Sequence, residues 1–460
     1  MTFPADTSGV PLGTMAVLMA SVFTVSIGYG IVLPLLPYLI ERLLGAGGNA
    51  GQVARSTGLL TGLYTLSLFL FAPVWGWLSD RHGRRFILLV GLIGFTATTL
   101  TFAFIENITA VYAERLLSGV FAAAVTPVAL AAIGDLAATE EGRARRLTFV
   151  SLAGISGFLL GPMMGVFVAR GGNNILPFFG KSGSLAFPLA GSAILALVVA
   201  VGVTLAVPRT KGADVAAKRG PHATASTRWL IPRLFCLAFI VSAAVGVFEV
   251  GLALRGKQEL GLTQYQIALM FTECSLVMLV VQAIVFSPWI KPQTTRWFIA
   301  PALAILAIGL FLVPRAPDFA MMLAVIGAVA ASAGILSPIL TYWISSKAGK
   351  AQGAELGRQT AAASLGVTVG SAAGGLLFNV AWLPNASFLL ITALTVLGFL
   401  LSLGLPKMLV TRRLGQGEHD GEDRKNTPPP LRPYAQQSQT RAAPQQDQRA
   451  LSGRRPLFRI

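Results

Sequence analysis

The chain has 460 residues, 54% of them hydrophobic and only 12% charged, with a mean hydropathy of +0.68. A soluble domain carries about 25% charged residues, so these values exclude an ordinary soluble fold and point to an all-α membrane protein, because only a helix satisfies its own backbone in hydrocarbon. The formal charge of +17 sits in short segments beside apolar runs and in the C-terminal tail; it reads as membrane topology and contact with anionic headgroups of the lipid bilayer, and no nucleic acid is expected.

In chain order, twelve apolar runs approach or exceed the roughly 20 residues that cross a hydrocarbon layer of about 30 Å. They cover residues 14–40, 56–79, 86–105, 110–135, 147–169, 185–207, 229–253, 265–288, 297–314, 319–346, 359–381 and 386–406. The segment before the first run (1–13) holds no Lys or Arg, so that run reads as a retained helix, not a cleaved signal.

Between spans 2 and 3 lies GWLSDRHGRR, residues 76–85, which gathers Asp80, Arg81, Arg84 and Arg85 with Gly76 and Gly83. Gly83 reads as the residue of a tight turn, and Gly76 as a place where another helix comes close. Asp80 shares its side of the membrane with the N-terminus of span 11. There the unpaired backbone N–H groups and the helix dipole favour a carboxylate, so Asp80 can clamp the two halves of the chain.

Span 4 carries Glu114, Arg115 and Gly119 in ERLLSGVFAAAVTP, with Asp135 at its end. Glu114 and Arg115 are placed to pair locally. Span 5 carries Gly157, Gly161 and Gly165 with Pro162. Residues four apart share a helix face, so these glycines open a groove for a neighbouring helix while the proline bends span 5, and the groove is expected to seal the interface between halves. Residues 171–184 form a loop, and the polar, basic stretch 208–228 is a linker that divides the spans six and six. The expected organisation is a segment 1–13, a first half 14–207, the linker 208–228, a second half 229–408 and a disordered tail 409–460, rich in Pro, Gln and Arg.

In the second half, Arg233 opens span 7 and Glu249 lies toward its other end; both read as interfacial. Glu273 lies deeper, in FTECSLVML of span 8, six residues or about 9 Å beyond Ile267 at 1.5 Å per residue. It is the leading candidate to carry a proton, alternating between apolar surroundings and Arg115, with Glu249 as the second candidate. Cys236 and Cys274 fall inside spans 7 and 8 and read as packing residues. His82, His222 and His419 lie outside every span, so no metal cluster or cofactor is expected. No phosphate-binding G-x-x-x-x-G-K-[ST] occurs either, and the chain does not read as an enzyme or an ATP-driven pump.

Basic residues set the orientation. With the N-terminus inside, cytoplasmic segments hold 27 of the 36 Lys and Arg residues and outer loops hold 7; stopping at Arg413 leaves 19 against 7. Both termini are expected in the cytoplasm of a multi-pass protein, on the inner membrane of a bacterium. The halves also echo each other. Thr126 and Pro127 of span 4 recur as Ser337 and Pro338 of span 10, and Gly157, Gly161 and Gly165 recur as Gly366, Gly370 and Gly374 of span 11, at offsets of 211 and 209 residues. Such duplication is the architecture of many secondary transporters.

Over nearly all of residues 10–410 the sequence resembles the major facilitator superfamily. GWLSDRHGRR matches the family's G-x-L-x-D-R-x-G-R-R/K signature at every defined position, Arg115 with Gly119 is similar to its span 4 motif, and GISGFLLGPMMG resembles the G-x-x-x-G-P-x-x-G signature of its antiporter branches. YGIVLPLLP, from Tyr29, adds to this. The resemblance implies twelve helices in two pseudo-symmetric halves, with spans 3, 6, 9 and 12 facing lipid. It implies that Asp80 closes the cytoplasmic side, that Arg84 pairs with Asp135, and that Tyr29, Phe248, Tyr342 and Trp343 belong to spans lining a cavity. The expected function is proton-coupled efflux of a small organic molecule by a monomer. Import of a metabolite by symport and a non-transporting receptor or scaffold are the alternatives.

Overall fold

The structure is a computed structural model that describes residues 11–136, 140–175, 183–209, 230–285, 290, 292–347 and 352–409. The expectations for residues 1–10, for nearly all of the 208–228 linker and for the tail beyond 409 lie outside the described residues, as does part of the 171–184 loop.

Among the described residues there is no strand, and twelve helices of 14 residues or more carry the fold. The first six are α1 Leu12–Leu44, α2 Ala50–His82, α3 Arg84–Phe102, α4 Ile108–Leu136, α5 Glu140–Ile175 and α6 Gly183–Ala206. The second six are α7 Leu230–Gln258, α8 Gln264–Val285, α9 Ile299–Leu312, α10 Phe319–Lys347, α11 Gln352–Leu376 and α12 Ala386–Ser402, followed by a single-turn α13 Leu405–Met408. By length and composition nine of the described helices can cross a membrane, while α5 and α12 contribute shorter apolar stretches, Phe149–Gly165 and Ala386–Ser402. Hydroxyls inside the helices donate to carbonyls of the preceding turn, as in Ser21 to Val17 O (2.8 Å), Thr57 to Val53 O (2.7 Å) and Ser275 to Phe271 O (3.0 Å). Such bonds let polar side chains sit in an apolar layer without an unmet donor.

Several helices outrun their apolar cores. α1 continues through Glu41 and Arg42, and α7 continues through Arg255 and Lys257, which the sequence placed in an outer loop. A hydropathy window ends at the first charge, whereas backbone hydrogen bonding does not. α2 begins with a capping box in which Asn49 Oδ1 accepts from the Gln52 N–H (2.8 Å) and the Asn49 N–H donates to Gln52 Oε1 (3.2 Å). It ends at Gly83, whose φ of 94° is open to glycine and strained for other residues.

The two halves repeat one packing scheme. In the first, α5 lies on α1; in the second, α11 lies on α7. A Cβ on Gly157 would sit 2.4 Å from Phe23 O and 2.9 Å from Ser26 Cβ, and one on Gly366 would sit 2.5 Å from Phe239 O and 3.0 Å from Ser242 Cβ. Phe23 and Phe239, Ser26 and Ser242, and the opposing glycines Gly30 and Gly246 are each 216 residues apart. The groove of α5 is thus filled by α1 of its own half: a Cβ on Gly161 would lie 2.7 Å from Ile27 O, and Gly165 is against Ile31. The expectation that these glycines and Pro162 seal the seam between halves is corrected: a four-residue period marks a face but not its partner. Across the seam, α2 meets α11 and α5 meets α8. Exposed apolar side chains line outward rows of α3, α6, α9 and α12, among them Ile93, Val198, Ile308 and Leu397.

Candidate functional site: a buried charge network at the seam of the two halves

α1, α2, α4 and α7 converge on a polar cluster inside the apolar bundle. The Arg115 guanidinium of α4 forms a two-pronged pair with the neighbouring Glu114, Nε to Oε2 at 2.7 Å and Nη2 to Oε1 at 3.0 Å, and both side chains are buried. The Phe102 and Tyr64 rings cover it, 4.4 and 5.7 Å from the guanidinium carbon. Tyr64 stacks on Tyr29 (5.2 Å between centroids), and Tyr29 on Phe158 (5.8 Å). The Tyr29 hydroxyl of α1 then donates to Glu249 Oε2 of α7 at 2.9 Å, joining the first half to the second. A small cavity beside this stack is lined by Tyr29, Leu60, Thr61, Tyr64 and Arg115. Gly119 brings α4 against α2: a Cβ there would lie 2.5 Å from Tyr64 O.

Three expectations change here. Glu249 is not interfacial; it is partly buried and faces the other half through Tyr29. Arg115 is occupied by Glu114, so it is not the cation that Glu273 was expected to visit. Glu273 instead lies against α10, where a Cβ on Gly327 would be 3.5 Å from its Oε1, and its buried Oε2 has no hydrogen-bond partner among the described residues. Of the four aromatic candidates, Tyr29 reaches the seam. Phe248 is buried in the packed core, and Trp343 is turned to Thr295, to which its Nε1 donates at 3.2 Å, with Tyr342 edge-on to it at 5.4 Å.

At the α2–α3 turn, Arg84 is buried and its Nε donates to Asp135 Oδ2 of α4 at 2.9 Å. Its other arm reaches Ser79 Oγ and the Asp80 carboxylate. Arg81 lies over Trp77, 5.9 Å from the ring centroid, and Arg85 reaches toward Val207 O at 3.5 Å. The Asp80 side chain is 50% exposed, and its charged partner among the described residues is Arg84 of the same turn. Among the described residues, therefore, Asp80 makes no clamp on α11 in this conformer. Gly58 and Gly62 of α2 do touch α11, where Cβ atoms would sit 2.6 Å from Gly375 Cα and 3.2 Å from Thr368 O, and the Thr368 hydroxyl donates to Thr65 Oγ1 at 3.0 Å. Eleven residues, or about three turns, beyond Thr65 on the same helix, a Cβ on Gly76 would meet nothing within 4 Å. The close approach expected at Gly76 is not made because contact with α11 is carried at the other end of α2.

That other end holds contacts the sequence reading missed. Lys257 of α7 donates to Pro37 O of α1 at 2.9 Å and pairs with Glu41 at 2.5 Å, and its ammonium lies 4.7 Å from the Tyr38 ring centroid. The Tyr38 hydroxyl donates to Leu262 O at 2.5 Å. Gln258 bridges Ala50 O (3.1 Å) and Asn379 (3.0 Å). Arg255 is buried, donating to Ala316 O at 2.9 Å and pairing with Glu259. Arg233 contacts Met408 Sδ at 3.1 Å; Cys236 is exposed and Cys274 buried. Among the described residues, no group of three or more His, Cys, Asp or Glu side chains is placed to hold a metal ion.

Two six-helix halves with a duplicated helix-on-helix scheme, meeting around a buried ionic cluster and clasped by side chains at one end, define a membrane transporter that moves its cargo between the halves. The sequence profile of the Major Facilitator Superfamily matches residues 18–354 and 234–457, and the chain belongs to that family. It is 26% identical over 373 residues to "Multidrug resistance protein 2" of Bacillus subtilis, covering 79% of this chain and 88% of that one. It is 26% identical over 367 residues to "Quinolone resistance protein NorA" of Staphylococcus aureus, covering 79% and 89%. Its fold is similar to the human organic anion transporter MFSD10 (TM-score 0.65, 20% identity, 85% of this chain and 100% of that one) and to a D-xylose-proton symporter (TM-score 0.67, 16% identity, 85% and 97%).

Proposed function

We propose that this protein is a proton-coupled exporter of small organic molecules in a bacterial inner membrane, each monomer presenting a central site alternately to the two sides. The contact between Tyr29 and Glu249 carries the reading. A carboxylate shared across the seam couples protonation to the fit of the halves, because an ionised acceptor makes a hydrogen bond about twice as strong as a neutral one. Proton uptake at Glu249 weakens its hold on Tyr29, and proton release restores it. Glu273, with a buried oxygen that has no hydrogen-bond partner among the described residues, is the second acid for this role.

The distribution of Lys and Arg supports cytoplasmic termini and a cytoplasmic α2–α3 turn. On that orientation the described residues pin this conformer on the outside, while Asp80 makes no contact with α11 among them on the inside, which fits the state in which an exporter takes up cargo. The relatives that carry multidrug and quinolone resistance in their names support organic compounds as that cargo, and the stack of Tyr64, Tyr29 and Phe158 suits flat apolar molecules.

The test is proton flux in reconstituted vesicles. Whole-cell accumulation of a panel of aromatic compounds selects a substrate, and that substrate, added against a pH gradient, should drive protons in the opposite direction to itself. Glu249→Gln should retain downhill exchange and lose uphill transport. Co-directional movement of protons and substrate would replace export with symport, and uphill transport by the variant at the wild-type rate would remove Glu249 from the coupling step.

A further inference from the structure

The face opposite the α2–α3 turn is held by a cluster that gathers on one cation. Lys257 extends from the last turn of α7 across the seam to α1, and its side chain is only 10% exposed although it is charged. Burying an ammonium is costly unless its donors are met. Here Pro37 O and the Glu41 carboxylate both receive it, while the Tyr38 ring lies against it. Every one of these acceptors belongs to the first half, and Lys257 belongs to the second. Tyr38 returns the connection by donating to Leu262 O in the second half. The clasp thus runs in both directions, whereas at the opposite face Asp80 finds its partner within its own turn.

We infer that Lys257 is a latch between the halves, and that parting it from Glu41 and Pro37 O is a required step in exposing the central site on the Glu41 face. This rests on alternating exposure of that site and is independent of which ion or cargo drives it. The latch is separate from the Tyr29–Glu249 contact, which lies about two turns deeper along α7. Glu41 is 63% exposed, so water reaches one side of the clasp and can take over the ammonium as it opens. The buried half, at Pro37 O, keeps it shut at rest.

The test measures access to a cysteine at Leu60, which is buried and lines the small cavity of α2 below the clasp. Leu60→Cys is placed in a chain carrying Cys236→Ser and Cys274→Ala, reconstituted at full length, and treated with a membrane-impermeant maleimide from the Glu41 face. Lys257→Met should raise the labelling rate about tenfold, the factor equivalent to about 1.4 kcal/mol. Glu41→Gln, a change at an exposed position that leaves the fold intact, should raise it by less. Lys257→Arg, which keeps a cation able to donate to both Pro37 O and the Glu41 carboxylate, should stay near the parent rate. Equal labelling in the parent, Lys257→Met and Glu41→Gln chains overturns the latch, even if proton coupling through Glu249 stands. Labelling raised in Lys257→Arg as much as in Lys257→Met also overturns it, since loss of packing and not of the charged contacts would then be the cause.

Discussion

Tyr29 and Glu249, 220 residues apart in sequence, meet at 2.9 Å across the seam between the two halves of the bundle. The phenol donates, the carboxylate accepts, and the same phenol is fixed between Tyr64 and Phe158. Removing either partner therefore tests a single bond. Tyr29→Phe keeps the ring stack and deletes the donor. A hydrogen bond to a charged group contributes about 1.5–3 kcal/mol, so the balance between conformers should shift by roughly tenfold or more, read as a changed rate of substrate exchange with expression unaltered.

Asp80→Asn should leave the thermal stability of the resting protein nearly unchanged, because in this conformer the carboxylate is half exposed and paired within its turn. Transport should nevertheless slow. A carboxylate at a helix N-terminus contributes about 0.3–1 kcal/mol when exposed, and that amount is lost only in the conformer that makes the contact. Melting curves and transport rates on the same preparation separate the two effects; a lowered melting temperature with normal transport would contradict this account.

Gly161→Leu should be poorly folded, since its Cβ alone would lie 2.7 Å from Ile27 O and 2.9 Å from Gly30 Cα. Overpacking of this kind costs about 1–3 kcal/mol or more where the obstacle is backbone. Gly370→Leu should behave alike in the second half, where Ala243 O lies 2.2 Å from the position of a Cβ. Gly76→Ala is the contrast: it meets open space, so stability should hold, and a transport defect would locate the approach of α11 in the other conformer. Fluorescence-detected size-exclusion profiles after heating measure all three.

Arg115→Lys should lower folded yield sharply despite keeping the charge. Lysine keeps the charge but not the planar fork that fits both oxygens of Glu114, and a buried ion left without its partner costs about 3–5 kcal/mol. The double change Arg115→Met with Glu114→Gln should recover part of the yield, because it leaves no ion unpaired. Equal yields for Arg115→Lys and the parent chain would refute the importance of the two-pronged geometry.

Glu273→Gln should maintain or raise thermal stability, since it removes charge from an oxygen that has no hydrogen-bond partner among the described residues. Uphill transport should fall less than in Glu249→Gln. A variant as uncoupled as Glu249→Gln would make the two acids equal participants.

The helices themselves were plain in the sequence, because twelve apolar runs separated by charges leave the chain little other choice in hydrocarbon. Gly83 was equally plain, since a glycine between Arg81 and Arg84 at the junction of two spans has one evident use, and its φ is positive. Partners were not plain. The stripe of Gly157, Gly161 and Gly165 announced a close approach without saying to which helix, and α1 was the answer where the seam had been expected. The pairing of Glu114 with Arg115 is the exception and was expected: adjacent residues on a helix do not face each other, but the length of the guanidinium side chain brings it round. Lys257 was hidden for another reason. Charges ended the apolar window before the helix ended, so the residue was assigned to a loop and its reach across to Glu41 could not be read from spacing.

The uneven contact along α2 also makes that helix a lever. Thr65, bonded to Thr368, is fixed against α11, while Asp80 lies fifteen residues beyond it, about 22 Å at 1.5 Å per residue, on a stretch held to α4 of its own half by Trp75 Nε1, which donates to Val120 O at 2.7 Å. A tilt of about 10° at the fixed point carries the Asp80 carboxylate through about 4 Å, the range over which a charged contact is made or lost. A small rotation at the glycine contacts, where Gly58 lies against Gly375 with no side chain between them, is thereby multiplied into a switch at the far end, and the stiffness of α2 with the α4 helix it is bonded to sets the gain.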